Sequence, residues 1–157
     1  MNGKIFGGTV AVLCLVAGAA IAAEGTDSGR TAFVPGTSEQ LALPNGHMMQ
    51  RVEASGINIT DDAESPLNGN SITCEGVFIA GADGSAEGGG GSCHLINADG
   101  DVALAWWKQT SEAGGVWGLM GGIGAFKGIT GKGKYTSQPP LPNGSWVNNW
   151  DISWKIE

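Results

Sequence analysis

The chain has 157 residues, 41% of them hydrophobic, with 28 glycines, 8 basic and 15 acidic side chains, and a formal net charge of −7 at pH 7. An acidic surface repels phosphate backbones and anionic headgroups, which argues against nucleic acid and against a charged membrane surface as partners. This length suits one domain with a core of its own.

The first 23 residues have the layout of a secretory signal peptide. Lys4 forms a short positive n-region, an apolar run extends from Ile5 to Ile21, and Ala20-Ile21-Ala22 meets the small-x-small cleavage rule. An uncleaved anchor is the alternative, but the alanine and glycine content of the run favours removal. Leu13, directly before Cys14, is bulkier than a lipidation signal requires. Cleavage would leave 7 basic and 15 acidic side chains, a net charge of −8. Beyond this run no second apolar stretch of spanning length follows, so the mature chain is expected in a secreted or periplasmic location and free of the membrane. Two cysteines then remain, Cys74 and Cys93. An even count in an oxidising compartment implies a disulfide, with two separate buried thiols as the alternative. His47 and His94 are the only histidines, and no acidic triplet has ligand spacing, so neither a metal site nor a cofactor is expected.

Residues 24–45 are polar and rich in Gly, Thr, Ser and Pro, and read as a flexible N-terminal segment with a short strand or wrapping piece near 39–43. The domain proper is expected over 46–157. From His47 to Thr60, apolar Val52, Ala54, Ile57 and Ile59 fall near alternate positions, with Gly56 shifting the phase as a bulge would. Ser71 to Ala82 is β-branched and weakly alternating, and Asp83-Gly84 offers a tight turn. Gly88 to Gly91 reads as a loop tip or flexible strand end. Ser92 to Asn97 is a short strand, and Asp99-Gly100 a hairpin signal. Asp101 to Thr110 places Val102, Leu104 and Trp106 on one face. Gly114-Gly115 turns the chain, Val116 to Met120 is the next strand, and Tyr135 lies in another before Pro139-Pro140-Leu141-Pro142-Asn143-Gly144. The last run is strictly of period two: Trp146, Asn148, Trp150, Ile152, Trp154 and Ile156 share one face. No helix of ordinary length is visible after the leader. Short strands joined by short turns imply an antiparallel meander, which closes most economically into an up-and-down β-barrel of about eight strands; a sandwich is the alternative.

The stretch from Gly118 to Tyr135 interleaves glycines with Leu119, Met120, Ile123, Phe126 and Ile129. Glycine accepts the sharp bends that barrel closure demands, and Phe126 is expected to plug one end. The run Gly121-Gly122-Ile123-Gly124-Ala125-Phe126-Lys127-Gly128-Ile129-Thr130-Gly131 resembles the G-G-x-G-x-F-x-G-x-x-G pattern of the allene oxide cyclase and dirigent superfamily, with Ile123 where that family usually has Thr. The resemblance implies an eight-stranded barrel with an apolar cavity, frequent oligomers, and cyclisation or stereocontrol of small hydrophobic molecules. In that reading Gly121, Gly122, Gly124, Gly128 and Gly131 are structural positions, and no catalytic residue carries over.

The residues themselves suggest further candidates. If Cys74 and Cys93 bridge neighbouring strands, alternation puts Glu75 and His94 together on the opposite face, where they could form a general acid/base couple or a solvated surface pair. Asn148 interrupts the tryptophan face, so it is either a satisfied core amide or a group lining a cavity. Tyr135, Glu53 and Lys108 are other polar candidates. Trp106 and Trp107 must point to opposite sides of a strand; Trp106 is the expected ligand-facing member, with partial burial at a loop or interface as its plainer explanation. Two readings result. One is an exported barrel that binds a small hydrophobic or aromatic molecule, as an isomerase or cyclase without a cofactor or as a stereocontrolling protein. The other is a ligand carrier or structural envelope protein.

Overall fold

A computed structural model describes residues 23–157. The expected leader, 1–23, lies outside the described residues except for Ala23. The described chain is eight strands: β1 Ala23–Ala42, β2 Met48–Thr60, β3 Ser71–Ala80, β4 Ala86–Ile96, β5 Val102–Ser111, β6 Gly114–Gly122, β7 Thr130–Ser137 and β8 Trp146–Ile156. Each pairs antiparallel with the next, and β8 pairs with β1, closing the barrel. The expected all-β, up-and-down barrel is therefore the observed fold, and the sandwich alternative falls. Closure leaves no strand edge free to recruit another chain. No helix of the described residues is long and apolar enough to cross a membrane.

Period-two alternation assigns every strand an inner and an outer face. On β8 the inner set is the expected one, with Trp150 and Ile152 buried and Asn149, Asp151, Ser153 and Lys155 exposed. On β3 and β4, Ile72, Cys74 and Phe78 face inward opposite Leu95, Cys93 and Gly89. The two cysteines are direct cross-strand partners and form the expected disulfide.

Four local expectations are corrected. The segment 24–45 is not a flexible lead-in: residues 23–42 form the longest strand, paired with both β2 and β8, and its register shifts between Pro35 and Ser38. Its polarity misleads because its inner positions Gly25 and Gly29 are small. A Cβ at Gly25 would stand 2.8 Å from the Trp154 ring, and one at Gly29 would stand 2.9 Å from Trp150. In β2 no bulge occurs at Gly56; alternation runs unbroken, so Asn58 is buried while Ile57 and Ile59 are 45% and 50% exposed on the outer wall. Gly88 to Gly91 lies inside β4, where Gly89, Gly90 and Gly91 also pair with β5. Gly114 and Gly115 begin β6, and the turn before them is Glu112-Ala113.

The two barrel ends differ. At one end the β2–β3, β4–β5 and β6–β7 connections fold over the lumen. Leu67, Ile129 and Phe126 are 0%, 0% and 1% exposed there, and Leu95, Ala103 and Ile152 complete the seal. Phe126 fills the plugging position expected of it, in a short 3-10 turn over Gly124–Phe126. Gly124 has φ +64, and a Cβ on it would collide with the Asp101 carboxylate, so glycine is required. That carboxylate accepts from the Ala125 N–H at 3.1 Å and ties this turn to the β4–β5 connection. The other end carries the β1–β2, β3–β4, β5–β6 and β7–β8 connections, and the lumen remains hollow toward it.

Candidate functional site

The inner face does not fill the barrel. A cavity of about 360 Å³ runs from the sealed floor toward the second end, within the usual range for small-molecule sites. Aromatic rings dominate its walls. Phe33 stacks on Trp146 with centroids 5.1 Å apart, Phe78 meets Trp107 at 5.1 Å, and Trp117 meets Trp150 edge-on at 5.5 Å. These spacings lie in the favourable range for aromatic pairs. Inner glycines give the rings room: a Cβ at Gly76 would stand 2.4 Å from the Trp107 ring. The Cys74–Cys93 disulfide forms part of the same wall.

Large rings bring polar indole N–H groups indoors, and most of these find partners. Trp117 Nε1 donates to the Asp151 carbonyl at 3.1 Å, and Trp150 Nε1 to Thr31 Oγ1 at 3.0 Å. Trp154 Nε1 donates to Asp27 Oδ2 at 2.6 Å, and Ser65 Oγ donates to the same oxygen at 2.7 Å. Thr31 Oγ1 in turn donates to Asn58 Oδ1 at 2.5 Å. Among the described residues four buried side-chain atoms have no partner: Asn58 Nδ2, Trp107 Nε1, Gln109 Oε1 and Asn148 Oδ1. All four belong to residues lining the cavity. Native interiors leave few polar atoms unpaired, and each costs about 1–3 kcal/mol, so their concentration around one hollow needs an explanation.

Tyr135 stands on the cavity wall, half-buried on β7. Burial pushes its phenol up to about 12, because a phenolate in an apolar setting loses hydration. It therefore stays protonated through the physiological range, a hydrogen-bond donor rather than a base.

The structure distributes the sequence candidates over both sides of the wall. Asn148 and Tyr135 line the cavity, and Glu53 and Glu75 border it from largely exposed positions. Glu75 and His94 share a face, as the disulfide geometry implies, and that face is the outer one. Both are exposed, Glu75 by 66%, and no hydrogen bond joins them among the described residues. Arg51 Nη2 stands 3.9 Å from Glu75 Oε2 instead. Trp106 borders the cavity, but its ring lies over Gly118 on the outer wall, where a Cβ would come within 2.8 Å of its Nε1. Its neighbour Trp107 is the ring inside. Lys108 is exposed, and Glu53 is held at its carboxylate by Thr37 Oγ1 at 3.1 Å. Sequence reasoning missed Trp107, Asn58, Thr31 and Gln109. A usable signal was the run of small inner partners, Ala103 and Ala105 on the same strand as Trp107 and Gly76 on β3, since small barrels alternate large and small residues inside.

A sealed floor, an aromatic wall and a hollow lumen define a closed eight-stranded barrel with an internal cavity. The pterocarpan synthase dirigent protein GePTS1 has the same fold: the superposition covers 85% of this chain and 86% of that one, with a TM-score of 0.52 and 15% sequence identity. The pterocarpan synthase dirigent protein PsPTS1 superposes over 88% of this chain and 96% of its own, with a TM-score of 0.47 and 13% identity. No family model matches the sequence, and no curated protein matches it. The barrel is thus dirigent-like in fold.

Proposed function

We propose that this protein is an exported barrel that takes up a small, neutral, predominantly apolar molecule and holds it in one conformation. The observation that carries the reading is the hollow itself: about 360 Å³, walled by aromatic rings and bordered by four polar atoms without partners. Apolar burial supplies affinity and a few placed polar groups set orientation, the usual division of labour in such sites. Restraining a flexible reactive molecule is itself a route to rate and stereochemistry, because only one near-attack conformer is admitted. The fold shared with a pterocarpan synthase dirigent protein supports the stereocontrol form of this reading, and the resemblance of residues 121–131 supports the cyclase or isomerase form. Export is supported by the layout of residues 1–23 and by the disulfide.

A carrier without chemistry is the second reading. What favours it is that the unpartnered atoms of the wall belong to amide and indole groups, which neither take up nor release a proton near neutral pH. Native mass spectrometry of the protein purified from its own host tests the shared core of both readings. A retained neutral species, lost on denaturation, is expected. A protein of bare mass that also fails to shift its tryptophan emission with any apolar aromatic probe would end them. Incubating the retained species with fresh protein then separates the two: a rearranged or optically enriched product marks stereocontrol, an unchanged molecule marks carriage.

A further inference from the structure

We infer that Asn58 is the orienting anchor of the cavity, and that the molecule it takes presents a hydrogen-bond acceptor, such as a carbonyl or ether oxygen, to the Asn58 Nδ2–H. The inference rests on the ligand-cavity reading above and adds to it the polarity and the address of one contact.

Asn58 is 1% exposed and lines the cavity. Its backbone N–H donates to the Asn70 carbonyl at 2.9 Å, and its own carbonyl accepts from the Gly69 N–H at 2.9 Å. Its side-chain oxygen accepts from Thr31 Oγ1 at 2.5 Å. Only Nδ2 is idle. An amide normally reads equally well turned over, but here the chain of donors settles its sense. Trp150 Nε1 can only donate, and it donates to Thr31 Oγ1 at 3.0 Å. With Oδ1 facing it, the threonine proton has an acceptor at 2.5 Å; turned over, the amide would take that acceptor away from a buried hydroxyl. The relay leaves the Nδ2 amino group unused on a residue of the cavity wall.

Register gives that N–H a setting. Ser137 pairs with Asn148, Asn148 with Thr31, and Thr31 with Asn58, so four polar inner residues form one rung across β7, β8, β1 and β2. With strands about 4.8 Å apart, Asn148 lies roughly 10 Å from Asn58 along that rung. The adjoining rung is the Phe33–Trp146 stack. A flat molecule lying on these rings would bring its edge to the polar rung. A core that needed only volume at position 58 would be served by leucine. The buried amide, with both Nδ2 hydrogens left idle, is the arrangement expected where a ligand completes the set.

The test compares two probes of nearly equal shape, acetylnaphthalene and isopropenylnaphthalene, by tryptophan fluorescence with the intact protein and with Asn58→Leu. The carbonyl-to-hydrocarbon affinity ratio is expected to fall at least about tenfold in the variant, since a buried hydrogen bond without a substitute is at stake. An unchanged ratio with both probes bound overturns the anchor and leaves the cavity reading intact. Binding of neither probe to the intact protein removes both. Should Asn58→Leu not fold, the unaltered protein decides. The side-chain amide proton resonance of Asn58 is expected to move downfield with the carbonyl probe alone, and equal behaviour with both probes refutes the assignment.

Discussion

Removing the Cys74–Cys93 bridge should lower stability by an amount the topology supplies. The two residues are 19 apart in sequence and directly paired across β3 and β4. Closing a loop of that length in the unfolded chain removes about 11 cal/mol/K of entropy, or about 3 kcal/mol at 25 °C. A domain of this size loses about 3–4 °C of Tm per kcal/mol, so a fall of about 10 °C is expected for Cys74→Ala/Cys93→Ala. The assay is thermal unfolding followed by far-ultraviolet circular dichroism, with and without reductant. Reductant should lower the Tm of the unaltered protein by a similar amount and leave the double variant unmoved. The reduced protein keeps both sulfur atoms, so any further loss in the variant reports the packing of the cysteine side chains against the core. A double variant within about 3 °C of the parent would refute the entropic argument. It would mean that the β3–β4 hairpin is already formed in the unfolded ensemble.

Four further outcomes follow from the same geometry. Tyr135 is the single tyrosine, so phenolate absorbance reports it alone; its midpoint should lie near 12 in the folded protein and near 10.0 once the fold is lost. Between those values the unfolded chain has released a proton that the native tyrosine keeps. Its contribution to stability is therefore complete below 10.0 and declines as the pH rises toward 12; a native midpoint near 10 would show that water reaches the ring. Phe126→Ala should cost about 3–5 kcal/mol in denaturant unfolding, because it opens the sealed floor, and a loss under about 1 kcal/mol would place the seal elsewhere. Thr31→Val should cost about 1–3 kcal/mol, since it leaves Trp150 Nε1 and Asn58 Oδ1 without partners at once; a neutral outcome in the same assay would show the relay to be dispensable. Glu75→Gln and His94→Ala should leave probe affinity within about twofold, as outer-wall changes usually stay within about 0.5 kcal/mol, and a larger loss would return the site to that face.

Strands were legible where both faces carried a message. On β8, Trp146, Trp150 and Trp154 alternate with Asn149, Asp151, Ser153 and Lys155, and only an extended chain with one buried face produces that order. On β1 the message is absent, because the partners of those tryptophans are the residues that yield space. Gly25 and Gly29 are inside because Trp154 and Trp150 are large, and a pattern based on apolar content registers them as loop. On β2 the message is inverted: the lumen claims Asn58 for its hydrogen bonds, while Ile57 and Ile59 face outward. Hydropathy thus points to the wrong phase and suggests a bulge at Gly56 that the continuous register does not contain. Adjacent Trp106 and Trp107 show the same limit, since alternation says that they diverge but not which one is inside.

These failures share one cause, and it is the cause of the cavity. A solid barrel would bury large aliphatic residues from every strand, and its inner face would read as uniformly apolar. Here the inner tryptophans are concentrated on β8, with one each on β5 and β6, and Trp154, Trp150 and Trp107 face Gly25, Gly29 and Gly76. Where a glycine admits a ring, the ring takes the volume of two side chains and leaves the wall irregular. The indoor indole N–H groups then need acceptors, which brings Asp27 and Thr31 inward, and Thr31 in turn orients Asn58. The polar rung is thus a consequence of choosing tryptophan for the wall. Among the described residues that sequence of obligations stops without a protein partner only at Asn58, Trp107, Gln109 and Asn148, and all four residues line the hollow. A barrel selected only for stability could end each of them with an aliphatic side chain, since an apolar replacement of matched shape removes the unpaired group altogether.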